Sequence, residues 1–269
     1  MRVRRSTTPL SVHLAKVWRA PFRLNALPTL VFMALWVTVF EGLTAILLEG
    51  TGLFASLWAF IPASAVNVVY AIGLICAWLM AIVRRTASGD ESLDAPSFTD
   101  LGSSLLRPAW LAVVGLSWVW LPAVSRLLAT RSIFDDPVIA LLIAFACVYA
   151  PAVLLVAASG GGTLQVANPW RIVATVWALG WPYLSLVPLV ALAAIPALVL
   201  HLASFRSWSV VPLLAPWALQ VASLIPLVIM ARALGVLLRV HGDRVEYGPD
   251  SDYLDPVLPG AEPRGTLPS

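Results

Sequence analysis

The 269 residues include one lysine, two cysteines, three histidines and few charges of either sign. Only 12% of the residues are charged, against about 25% in an ordinary soluble domain. Too few polar side chains remain to cover a globule, so lipid must be the solvent of much of the surface. Arginine outnumbers lysine sixteen to one, with Lys16 the only lysine. Base composition accounts for that ratio without any function. Cys76 and Cys147 both lie inside apolar runs, where free thiols behave as small hydrophobes. His13, His201 and His241 fall in different segments, and a metal site needs several ligands close together. No metal or other cofactor is expected.

Catalytic signatures are missing as well. The chain has no H-E-x-x-H, no G-x-S-x-G and no pair of aspartates inside an apolar run. Gly160-Gly161-Gly162-Thr163 lacks the lysine and the preceding strand of a phosphate-binding loop. It reads as a turn. Asp90, Glu91, Asp94 and Asp100 lack calcium-loop spacing, so the stretch 84–107 reads as a solvated loop. A non-enzymatic protein is expected.

What the chain does have is apolar length. Hydrophobic residues make up 60% of it, and the mean hydropathy is +0.88. Apolar runs of about 20 residues, enough to cross a bilayer, cover roughly 28–48, 62–83, 109–129, 137–158, 182–202 and 211–231. The expected fold is all-α, a polytopic transmembrane bundle of about six spans. Pro28, Pro62, Pro137 and Pro182 open four of the runs, where a missing N–H costs little. The first run starts near Leu24 and is too long for the core of a cleavable signal.

The net charge of +3 does not point to nucleic acid, because the basic residues sit at the ends of the apolar runs. If the N-terminus is inside, fourteen basic residues fall on the cytoplasmic side and only Arg126, Arg131 and Arg206 on the other. Positive charge stays inside, so both termini are expected in the cytoplasm, with the protein in the inner cell membrane. The chain then divides into a basic leader, 1–23, a membrane domain, 24–240, and an acidic tail, 241–269. The tail carries five prolines and six carboxylates and is expected to be disordered. Within the leader, His13, Lys16, Arg19 and Arg23 recur at helical spacing, with Leu14, Val17 and Trp18 towards another face. Such a helix lies among anionic headgroups. Lipid is the first expected partner; proteins within the membrane are the second.

Polar groups inside spans are costly and mark candidate sites. Glu41 lies seven residues before the end of the first span, about 10 Å inside it. Arg126 lies near the same outer side at the end of the third. Three readings follow: the pair orients two helices, Glu41 is a protonatable group on a transport path, or the span ends earlier and Glu41 lies at the headgroups. The pairing reading predicts that Glu41→Arg combined with Arg126→Glu restores the folded yield that either change alone lowers. Asn67 and Gln220 are expected to bond neighbouring helices. Pro151, Pro188, Pro196 and Pro226 fall inside spans and are candidate kinks.

Three short stretches carry a resemblance. They are Pro96-Ser97-Phe98-Thr99-Asp100, Tyr149-Ala150-Pro151, and Asn168-Pro169-Trp170 followed by Pro182-Tyr183. With them the chain resembles a group of uncharacterised bacterial six-helix integral membrane proteins with a domain of unknown function. That group is loosely similar to the membrane domain of glycerophosphodiester phosphodiesterases. The resemblance covers about residues 20–240 and implies a six-helix fold without an activity, since catalysis in the fused proteins belongs to a separate domain. The leading functional expectation is a scaffold or membrane-organising component. The alternative is a small transporter or permease-like subunit using kinked fifth and sixth helices.

Overall fold

A computed structural model of the protein describes residues 14, 16–22, 26–49, 73–90, 106–130, 137–204 and 214–245. Nine helices follow in order among them: α1 (Leu27–Glu49), α2 (Gly73–Ser88), α3 (Arg107–Thr130), α4 (Pro137–Ala158), α5 (Thr163–Ala167), α6 (Pro169–Leu179), α7 (Trp181–Leu184), α8 (Leu186–Ser204) and α9 (Leu214–His241). No strand occurs among the described residues. Proline sits in the first turn of seven of these helices, at Pro28, Pro108, Pro137, Pro169, Pro182, Pro188 and Pro216. Its missing N–H is an orphan there anyway, and its fixed φ suits the helix. Pro188 is thus a helix opener. Pro122, Pro151, Pro196 and Pro226 lie inside their helices.

Helix α9 is the core. Every residue from Val228 to Leu238 is buried, including Arg232, and α2, α8, α1 and α4 all pack against it. The outer helices are buried on one face only. In α1 that face is Leu30, Met33, Ala34 and Val37, at the i, i+3, i+4, i+7 spacing of a helix stripe. Val31, Phe32, Leu35 and Val39 on its other side stay exposed. Exposed Leu121, Leu141, Phe145, Leu192, Ile195 and Val199 continue this apolar exterior around α3, α4 and α8. An apolar exterior of that extent suits lipid better than water.

Two helices, Pro137–Ala158 and Pro216–His241, are long and apolar enough to cross a membrane. A third candidate is the pair Pro169–Leu179 and Trp181–Pro196, bent by 98° at the break between them. The helix α9 runs ten residues past the end expected from its apolar run, to His241. Beyond it the acidic tail does not begin at once. Gly242–Arg244 form a 3-10 turn, and Val245 returns to the core. In the leader, Val17, Ala20 and Pro21 are buried, while Lys16 and Arg19 are exposed.

The helices share a common end. Arg84 Nε donates to the Ala158 carbonyl at 2.7 Å and Nη2 to the Ala157 carbonyl at 3.4 Å, which brings the C-termini of α2 and α4 together. Gly235 of α9 lies against Thr86 and Val83 of α2, and Gly89 against Arg239. Gly115 in the first half of α3 meets Val153 of α4. So α2, α4 and α9 end where α3 begins.

Candidate functional site

The candidate site is an apolar cavity of about 440 Å³ between α2, α3, α4, α7, α8 and α9. Pro151 is in its wall. A proline at this position supplies no N–H to the Cys147 carbonyl four residues earlier, so the helical ladder of α4 has a gap there. Tyr183 meets the next carbonyl along. Its hydroxyl donates to the Val148 carbonyl, with the Ala152 amide beside the same oxygen. The bond ties α7 to α4 one residue from that gap. Tyr183 is buried, and it reaches α4 because the chain breaks just before it. Gly180 adopts φ +60° and ψ −138°, a conformation open to glycine and strained for other residues. Pro182 then opens α7.

The rest of the lining is small or aliphatic: Ala146, Ala150, Ala191 and Ala194 leave the space, and Leu79, Met80, Leu227 and Met230 close its back. Cys147 and Ala191, both exposed, put the opening between α4 and α8. Both cysteines line the cavity, Cys76 from α2 and Cys147 from α4, and both are free thiols. Among the described residues no cluster of three or more metal-ligating side chains occurs.

Replacing Tyr183 with phenylalanine is expected to destabilise the bundle by about 1 kcal/mol, the usual net worth of one buried hydrogen bond. The Val148 carbonyl stays within the α4 helix, four residues before the Ala152 N–H, which limits the loss. Unfolding in mixed micelles measures it; an unchanged midpoint would show that the hydroxyl does not hold α7 to α4.

The sequence-derived candidates scatter around this cavity. Pro151 is in it. Pro226 is buried on α9, Gln220 half-buried on the same helix, and Pro188 and Pro196 are exposed on α8. Arg126 is exposed on α3. Glu41 belongs to α1, but its side chain and all of Asn67 lie outside the described residues. Sequence reading missed Tyr183 and Gly180 as site residues. The signal was present as Gly180-Trp181-Pro182, a glycine followed by a helix-opening proline, which marks a break rather than a continuous span.

Comparison with family models, with curated proteins and with solved structures finds no match for the chain.

Proposed function

We propose that the protein is a non-enzymatic, multi-pass protein of the inner cell membrane that holds the hydrocarbon part of a lipid in the cavity beside Pro151 and Tyr183. The cavity itself carries the reading. Its 440 Å³ open to the outside between α4 and α8 and are lined almost wholly by apolar atoms, so an apolar group can enter from beyond the bundle. Water is a poor occupant, because it needs several polar partners and the lining offers almost none. Acyl chains are the apolar solvent at hand. The volume falls within the ordinary range of ligand sites.

In this reading the chain crosses the bilayer six times with both termini in the cytoplasm. The gathering of Arg84, Arg232 and Arg239 near one end of the bundle supports that orientation, with Arg107 at the adjoining start of α3. Holding a particular lipid is one physical means by which a small bundle organises its membrane. A transport reading uses the same cavity, and Pro196 and Pro226, inside two of the helices that wall it, favour that reading as the second.

Purification in native lipid discs, followed by mass spectrometry of bound lipids and proteins, tests the proposal. One lipid class enriched to near stoichiometry is the expected result. A stable protein partner with no enriched lipid would turn the reading back to a scaffold. Flux of a solute through reconstituted vesicles would move it to transport.

A further inference from the structure

Helix α6 is not used by the cavity. Apart from Arg171 and Thr175, it is apolar on its exposed side as well as on its buried one. Ile172, Thr175 and Leu179 form the buried face, and α4 is the neighbour it packs on. Trp170, Trp177 and Val173 lie on the opposite side, with the two tryptophans 75% and 83% exposed. Trp181, 79% exposed, follows at the break. The start of the helix is built firmly: Asn168 caps it by accepting from the Trp170 amide at 3.0 Å, with Pro169 in the first position. Just before it, Trp118 of α3 donates from Nε1 to the Ala167 carbonyl at 2.8 Å.

Two observations give its direction. It is bent by 98° from the helix that follows, and that helix, α8, packs along α9. A helix perpendicular to α8 therefore runs across the bundle, not along it. It also lies near the end where Arg84 meets the C-terminus of α4, since only four residues separate Ala158 from α5. Tryptophan rings favour the headgroup level of a bilayer.

We infer that α6 is an in-plane interfacial helix, lying at the cytoplasmic headgroup boundary with Trp170, Trp177 and Trp181 in contact with lipid. Its partner is the bilayer surface. Arg171, exposed on the same helix, suits phosphate-bearing headgroups. The helix is then a collar that sets the depth of the bundle and not half of a span. The inference rests on the membrane reading above.

Spin labels at single cysteines, in a background with Cys76→Ala and Cys147→Ala, test it through their depth in reconstituted vesicles. The positions are Trp170→Cys, Ala174→Cys and Ala178→Cys, with Leu141→Cys and Phe145→Cys on α4 as controls. The two alanines are small and exposed, so the test survives if the tryptophan variant fails to fold. The expected result is one shallow depth along α6, with a change of about 6 Å between the α4 controls. A change of about 12 Å from 170 to 178 would make α6 part of a span and overturn the inference. Water-like accessibility at all three α6 positions, with the α4 controls still in lipid, would overturn it as well. Water-like accessibility at the α4 controls would instead sink the membrane reading itself.

Discussion

Gly235→Ala is expected to lower the stability of the bundle by about 1–2 kcal/mol, and Gly235→Leu by about 3 kcal/mol. A Cβ on Gly235 would stand 2.6 Å from the Thr86 Cβ and 2.7 Å from the Val83 carbonyl oxygen. Neither atom can swing away, because one is at the root of its side chain and the other is backbone. The two helices must separate. In lipid, where apolar surface is no longer driven together by water, close packing of small residues carries much of helix association. Among the described residues the α2–α9 contact is the most extensive, so its loss spreads through the core. Gly115 is a milder case, since the atoms a Cβ would meet there belong to the ends of Val153 and Val166. Gly42 is the control, with nothing within 4 Å of a Cβ. Gly42→Ala should stabilise α1 by about 0.5–1 kcal/mol. Titration with denaturing detergent reads all three, and equal midpoints for Gly235→Ala and Gly42→Ala would refute the close approach.

Filling the cavity should have the second large effect. Ala150→Phe puts a ring into the space beside Pro151, and the lipid recovered with the protein should fall at least tenfold. The change differs from ordinary overpacking because it occupies a void instead of displacing packed atoms. Stability separates the two outcomes. The wild type, stripped of lipid, should regain about 3 kcal/mol when its lipid is restored at a hundredfold excess over Kd. The filled variant should show almost no such response. If both proteins respond alike, the lipid acts elsewhere and the cavity is not its site.

Much of the helical frame was readable from local chemistry. Pro137 opens α4, and the glycines from Gly160 end it, because those residues act within a turn of where they stand. The start of α6 was legible in part, since Asn168-Pro169 is an N-cap followed by its favoured first residue. Its orientation was not. The bend at Gly180 depends on one positive φ, and the apolar run from Trp181 onward looks the same on either side of a break. The cavity was less legible still. Pro151 and Tyr183 are 32 positions apart, and only packing sets the tyrosine hydroxyl beside the α4 carbonyl. Small residues such as Ala150 and Ala191 leave no mark in a hydropathy profile, whether they fit against a neighbour or leave a space. The end of α9 differed for another reason: Arg232 and Arg239 mark where a span leaves the apolar layer, but a helix has no need to stop there.

The bond from Arg84 to the end of α4 has a consequence for the order of assembly. Its two partners are 74 residues apart, so the bond can form only after the whole of α3 and α4 has been made. The contact is therefore a late clasp: it closes only when the C-terminal ends of α2 and α4 lie side by side, and an α4 packed the other way round would leave Arg84 without these carbonyls.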